Sequence, residues 1–413
     1  PFCHEGDAAM STTFSFADSD VPMGLLRQRA HNLRWATLPE DVIPLTAADP
    51  DFAVAPVVRE AIVAYAQGGV FSYGPAEGLA EFRQVCARVV RERKGAPADP
   101  ALVLAVDSAA AGMRHIAKLV LRPGDEAIVF DPVDFLFKAS VEAAGGTVRL
   151  LPIDPASGRL DLDALPGLLT PRTRLLTVCN PVNPIGATLT PHELRVLGEF
   201  AVANDLWILN DEIWSDIVYS DATFTSLPGI SPAIAARTFS VHGFSKSFGL
   251  AGLRVGFIVA PDEERFAALL ADTLAPQTMS GVATLSQVAA IAAYEQGWPW
   301  QQAFLAHLQR MRDRTVAALR SVEGVQVRTP EGCFVTFPDV SALTDDAENL
   351  TRRLLEQARV AVVPGAARWF GPGATGHLRI CFSTSEAILD EGLGRLTDFL
   401  ADESRRRKTR AHD

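Results

Sequence analysis

The stretch Ser245-Lys246-Ser247-Phe248-Gly249-Leu250-Ala251-Gly252-Leu253-Arg254-Val255-Gly256-Phe257 holds the residue types from which carbonyl chemistry can be built. The chain has five lysines, at positions 94, 118, 138, 246 and 408, against 33 arginines. Lys94 and Lys408 fall in charged runs that read as surface, and Lys118 and Lys138 fall in helix-like patterns. Lys246 is instead enclosed by small, hydroxylic and glycine residues, after the strand-like Thr238-Phe239-Ser240-Val241. An amine becomes a nucleophile towards carbonyls when its surroundings favour the neutral form or hold it as an imine. The flanking serines can donate to an anion, and Arg254 adds an always-charged planar fork suited to phosphate. The plainer reading is a surface lysine ahead of a glycine-rich turn.

Other positions invite the same weighing. In Asn180-Pro181-Val182-Asn183-Pro184-Ile185-Gly186 the prolines restrict the backbone around Asn183, so its amide can be aimed at small entropic cost. Arg379 has apolar neighbours in His377-Leu378-Arg379-Ile380-Cys381-Phe382. A buried arginine demands a partner, and its fork suits a carboxylate or, more plainly, a structural ion pair. Ser108-Ala109-Ala110-Ala111-Gly112 falls where a strand turns into a helix, exposing backbone N–H groups to an anion. Tyr73, in the glycine-bounded loop Phe71–Gly78, reads by itself as a surface aromatic. His192 lies in the capping box Thr190-Pro191-His192-Glu193 and reads as a helix-start surface residue.

Alternating strand and helix patterns over residues 100–260 predict a mainly parallel sheet with helices on both faces. Strands are expected at Leu102–Val106, Ala127–Phe130, Leu175–Cys179 and Leu206–Leu209, the last running into Asn210-Asp211-Glu212-Ile213-Trp214. Helices are expected around Gly24–Asn32, at 56–67 (stopped by Gly68-Gly69), from Leu79 to Arg93, and from Thr190 to about Asn204. A long helical region from Thr284 to Val322 breaks near Gly297-Trp298-Pro299. Beyond it, strands at Val325–Arg328, Cys333–Phe337, Val360–Val363 and His377–Phe382 are expected, with a helix at Ala347–Arg359. A capping box from Ser383 to Glu386 is expected to open the last helix. This pattern suits a smaller α+β unit.

Ser-Lys-x-Phe-x-Leu-x-Gly-x-Arg-x-Gly closely resembles the Schiff-base segment of fold-type I pyridoxal-phosphate enzymes, in the class I/II aminotransferase branch. The other motifs follow in that family's order over nearly the whole chain. The resemblance implies a seven-stranded-type large-domain sheet, with Lys246 holding the aldehyde of pyridoxal phosphate. It implies phosphate contacts from Ser245, Arg254, Ser108, Ala109 and Ala110, although Ser108 stands where the family usually has glycine. Asn183 would bond the cofactor's phenolic oxygen. Asp211 would hold the pyridine nitrogen protonated, making the ring an electron sink; its plainer reading is a helix cap. Arg379 would clamp the substrate's α-carboxylate, and Tyr73 would reach across a homodimer to the neighbour's cofactor phosphate. The segment Ala47-Ala48-Asp49-Pro50-Asp51-Phe52, with Ala48 beside the substrate, resembles the branch that includes cystathionine β-lyases.

Two positions depart from the family pattern. Asp134, with Phe135 beside it, stands where an aromatic residue usually stacks on the pyridine ring; either Phe135 takes over the stack or a carboxylate faces the ring. Trp214 stands where tyrosine or histidine is common, and an indole N–H can donate to the cofactor oxygen but cannot accept a proton. Transamination of an amino acid with a 2-oxo acid is the expected reaction. β-Elimination of an S-substituted cysteine, or a decarboxylating reaction, is the alternative. A cofactor-binding protein without catalysis is disfavoured by the complete set Lys246, Asp211, Asn183, Arg254 and Arg379.

The 413 residues suggest two domains. The division expected is an upstream segment 1–9, an arm 10–48 belonging to the smaller domain, a cofactor-binding domain 49–283, and a connecting helix with the small domain over 284–413. A net charge of −11 argues against non-specific nucleic-acid binding. The run Arg405-Arg406-Arg407-Lys408 reads as a solvated tail. Five scattered cysteines without paired spacing suit a reducing cytoplasm rather than a disulfide framework, and neither they nor the eight histidines show metal-ligand spacing. No apolar run of membrane-spanning length is present, so no membrane partner is expected.

Overall fold

The computed structural model describes residues 14–412, so the expected upstream segment 1–9 lies outside the described residues. The large sheet has the strand order Val103–Val106, Gly256–Val259, Thr238–Gly243, Trp207–Asp211, Thr173–Cys179, Glu126–Asp131, Thr147–Asp154 and Arg159–Leu160. The five strands from Thr238–Gly243 to Thr147–Asp154 are parallel, while Gly256–Val259 runs antiparallel to both neighbours. The central strands Thr238–Gly243, Trp207–Asp211, Thr173–Cys179 and Glu126–Asp131 are almost wholly buried, as their mainly apolar sequences require. Seven strands were expected; the eighth is a two-residue strand, Arg159–Leu160, that turns back on Thr147–Asp154. Parallel strands put their carboxyl ends on one edge, and in such sheets ligands bind outside that edge. Here the edge delivers Asn180–Gly186, Asp211 and Ser245–Lys246 together.

A second unit forms from the chain's two ends. Val335–Thr336, Leu378–Cys381 and Val363–Pro364 make a small antiparallel sheet, and Ile43–Pro44 of the arm pairs in parallel with Val360–Ala361. The arm is fixed by a buried ion pair between Arg34 and Asp51, whose Oδ1 also accepts from Trp35 Nε1 at 2.8 Å. Phe16 packs against Phe52, Trp300 and Phe304 with ring centroids 5.0, 5.5 and 5.3 Å apart. The helix Thr284–Gln296 packs on Pro56–Gln67 and Ala80–Lys94, whereas Trp298–Arg320 packs on the last helix, Glu386–His412.

Several expectations give way to tertiary context. The first helix spans Met23–Arg29, because Ala30 leaves helical geometry. Val325–Arg328 is no strand: Gln326 bridges Asp339 alone, and Arg328 turns its fork to Glu331. The expected strand Cys333–Phe337 shrinks to Val335–Thr336, since Cys333 takes φ 63°. The helix expected over Ala347–Arg359 is α-helical to Arg353 and widens into a π turn over Leu354–Ala358. Ser383 does not cap the last helix; its Oγ donates to Asp49 O, and Asp18 of the arm accepts from Ala387 N–H at 2.9 Å instead. The basic run 405–408 is not a free tail but part of that helix, with Arg407 paired to Asp345 at 2.8 Å and Lys408 to Glu323 at 2.6 Å. Lys94 is not a surface lysine either. It is buried, paired with Asp216 at 3.0 Å and bonded to Ser215.

Candidate active site

One cavity of about 380 Å³ lies at the carboxyl edge of the large sheet, roofed by the arm and the small unit. At one end Ser108 caps the helix Ala109–Val120, its Oγ accepting from Ala111 N–H at 3.1 Å. The first N–H groups of a helix have no intrahelical acceptor, so those of Ala109 and Ala110, which line the cavity, are open to an anion with the dipole behind them. Gly256 makes room for this turn, since a Cβ there would stand 2.7 Å from His242 O and 3.2 Å from Ala109 N. Arg254 holds the left-handed φ of 51°, uncommon for a side-chain-bearing residue, and its guanidinium lies 3.8 Å from Asp107. It remains mostly exposed, with Ser245 lining the same end.

Lys246 leaves the strand Thr238–Gly243 and ends on the cavity floor. Its Nζ donates to Ala48 O at 2.7 Å and stands 5.1 Å from the centre of the Trp214 ring. Burial pushes its ammonium below the ordinary lysine range; Asp49 opposes that shift and Arg379 adds to it. Trp214 is itself buried edge-to-face on Phe334, 4.8 Å between centroids, and it turns its π face to the amine. Asp211 closes its strand with Oδ1 accepting from Ile213 N–H at 3.0 Å. Burial raises its carboxyl to about 7, against that hydrogen bond, with Asp134 and Glu212 adding to the rise. A carboxylate this poorly solvated is short of a cationic N–H partner.

On the opposite wall, Asn183 Nδ2 donates to Asp134 Oδ2 at 2.8 Å, and its Oδ1 accepts from Arg379 Nη1 at 3.5 Å. Arg379 reaches Thr46 O only at 3.4 Å, lies 5.1 Å from the Phe370 ring centre, and keeps a buried Nε without a partner. Burial pulls its guanidinium pKa down, opposed first by Asp134. A half-buried fork with two long contacts and a buried, orphaned Nε–H is incompletely satisfied, and a bidentate carboxylate would complete it.

Asp134 caps the helix Phe135–Ala143, with Oδ1 accepting from Leu136 N–H at 3.1 Å. Phe135 lines the cavity but meets Trp369 edge-to-face, 5.6 Å between centroids, so of the two it is Asp134 that is drawn inward to Asn183. Tyr73 lies apart from the cavity and is 91% exposed, near the exposed Val70 and Phe71. The other candidates (Ala48, Ser108, Ala109, Ala110, Asp134, Phe135, Asn183, Asp211, Trp214, Ser245, Lys246, Arg254 and Arg379) all line the one cavity.

Sequence reasoning missed Leu33, Trp369 and Phe370 on the walls, and the support beneath the floor. Buried Lys94 holds Asp216, whose other oxygen accepts from Ser247 Oγ at 2.8 Å, tying the helix Ala80–Lys94 to the neighbour of Lys246. The aromatic dipeptide Trp369-Phe370 was a usable signal; the partners of Lys94 are too remote in sequence to be one.

Residues 40–396 match the family described as aminotransferase class I and II. The chain belongs to that family and is a fold-type I, pyridoxal-phosphate-dependent aminotransferase. It is 32% identical over 364 residues to a protein of Aquifex aeolicus named probable aspartate/prephenate aminotransferase, covering 86% of this chain and 90% of that one. It is 32% identical over 361 residues to the arginine–pyruvate transaminase of Pseudomonas aeruginosa, covering 86% and 89%. The crystal structure of an aromatic aminotransferase from Pyrococcus horikoshii superposes with a TM-score of 0.83 at 28% identity, over 89% of this chain and 98% of that one.

Proposed function

We propose that the chain moves the α-amino group of an amino acid to a 2-oxo acid, with Lys246 as the residue that bonds the cofactor and shuttles the proton at Cα. The observation that carries this reading is the convergence of Lys246, Asp211 and Arg379 on one cavity from three separate parts of the chain. The residues fit the cofactor: the Ala109 and Ala110 N–H groups, Ser245 and Arg254 would hold its phosphate, and Asp211 lacks the cationic partner that its pyridinium nitrogen would be. Bound there, pyridoxal phosphate supplies an electron sink for a broken Cα bond. Arg379 would grip the α-carboxylate and so choose which Cα bond stands across the sink. Asn183, braced between Asp134 and Arg379, would donate to the phenolic oxygen. Asp211 would keep the proton on the pyridine nitrogen. Lys246, kept towards its neutral form by burial, would take the proton from Cα and return it one position along. Trp214 presents only a ring face to that amine, which leaves Lys246 as the base. In steady state, turnover should then require an added 2-oxo acid. Sustained release of ammonia without an acceptor would replace this reading with elimination.

The working unit in this reading is a homodimer in which Tyr73 reaches the partner's phosphate site. Its phenol is free to do so, being almost fully exposed beside Val70 and Phe71. Mixed dimers of Tyr73→Phe and Lys246→Ala chains should regain activity, because one of the two sites then draws native residues from both chains. A monomer fully active at assay dilution would refute the shared site.

A further inference from the structure

The cavity has more wall than the proposed chemistry uses. Six of its lining residues carry charge, and each has a place in the proposed site: Arg254 and Asp107 at the phosphate end, Lys246 and Asp211 at the ring, and Arg379 facing Asp134 through Asn183. Among the described lining residues no cation is left for a second substrate carboxylate. Nearby Arg368 is paired with Glu348 and lies 5.8 Å from the Trp369 ring, outside that lining. Apart from Asn32, the wall on this side is apolar: Leu33, Phe135, Leu136, Val363, Trp369 and Phe370. Phe135 and Trp369 form an edge-to-face pair, and Phe370 lies against the Arg379 fork. A side chain extending from a carboxylate held by Arg379 therefore meets aromatic rings, with the Asp134 carboxylate beside them.

We propose that this chain selects amino acids with a large apolar or aromatic side chain, and that Asp134 turns away those carrying a second carboxylate. This rests on the transaminase reading and goes further by naming the substrate class. Burying an aromatic side chain against the Phe135–Trp369–Phe370 wall removes a large apolar area from water. A second carboxylate in the same space would lose water without gaining a cation from this chain's lining, and would face a like charge in a partly enclosed medium. Asparagine caps helices about as well as aspartate, so Asp134→Asn can keep the bond to Leu136 N–H while removing the charge and the second acceptor, Oδ2, that Asn183 uses.

The test is ligand binding to the holoenzyme, read from cofactor absorbance, with 3-phenylpropionate as the aromatic monocarboxylate and maleate as the dicarboxylate. Phenylalanine and aspartate are compared as substrates in parallel. The native protein should bind 3-phenylpropionate at least about tenfold more tightly than maleate, with kcat/KM ordered the same way. Asp134→Asn should shift the ratio of the two affinities towards maleate by about tenfold, whatever loss the two ligands share, and Trp369→Ala should weaken 3-phenylpropionate by about tenfold. Equal or tighter maleate binding by the native protein would overturn the proposal, as would an Asp134→Asn ratio of the two affinities unchanged from the native one. The native comparison needs no variant, so a variant that fails to fold leaves the proposal testable. Oxo acid formed from aspartate but not phenylalanine would sink the substrate class alone. Absence of oxo acid from either amino acid, with 3-phenylpropionate still preferred, would sink the transaminase reading instead.

Discussion

Lys246→Ala is expected to cost about four orders of magnitude in turnover or more, because it removes both the group that bonds the cofactor and the base that moves the Cα proton. Few other changes should remove so much, since no other lysine lines the described cavity. The variant should still fold: the lost side chain makes one hydrogen bond, to Ala48 O, and its neighbours Phe244 and Phe248 stay anchored in the core. It should also still bind pyridoxal phosphate, through Arg254, Ser245 and the helix start at Ala109, but reversibly. Borohydride reduction followed by mass spectrometry separates the cases. The native protein should carry the cofactor's mass on the peptide containing Lys246, and the variant should carry none. Covalent label elsewhere in an active variant would show that Lys246 is a bystander.

Asp211→Ala is expected to cost about 3–5 kcal/mol of stabilisation at the pyridine nitrogen, which is about two to four decades in rate. A near-native rate would reduce Asp211 to a turn-forming residue that merely accepts from Ile213 N–H. The same carboxyl leaves a mark on the cofactor-free protein. Its folded pKa of about 7 lies above the unfolded 3.8, so its favourable contribution is complete below the unfolded value and is lost as pH rises through about 7. The difference of about three pH units corresponds to about 4 kcal/mol. Denaturant unfolding of the apo-protein at pH 4 and pH 8, set against Asp211→Asn, should show the native chain losing several kcal/mol relative to the variant. Adding cofactor should narrow the gap, because a pyridinium partner makes the ionised carboxylate welcome.

The residues on which these tests turn were legible because each stands in a local signal. Lys246 sits in a glycine- and serine-rich segment, Asn183 between prolines, and Asp211 and Arg379 beside apolar strand runs. Much of the large sheet was legible for the same reason: strands such as Glu126–Asp131 and Thr173–Cys179 are almost wholly buried and carry apolar runs, whereas the half-exposed Thr147–Asp154 gives no such signal. The small unit was harder, because its strands are two to four residues long and owe their pairing to partners far along the chain, as Ile43–Pro44 does to Val360–Ala361. Lys94 was misread because its Arg-rich neighbourhood looks solvated, while Asp216 and Ser215, more than a hundred residues on, draw it inside. The cap of the last helix was misplaced for a similar reason. Asp18 reaches it from the opposite end of the chain, leaving Ser383 to bond Asp49. Asp134 was visible as a departure from the family pattern, but its bond to Asn183 depends on two loops meeting at the sheet's edge.

The most direct test of amino-group transfer at this site is a nitrogen balance over one turnover. The holoenzyme is mixed with a slight excess of ¹⁵N-labelled amino acid and no 2-oxo acid, and protein is separated from solution. The site built on Lys246, Asp211 and Arg379 predicts one equivalent of oxo acid per chain, with the label retained by the protein–cofactor complex until a 2-oxo acid is added. Label found free as ammonia, with product still accumulating past one equivalent, would contradict it.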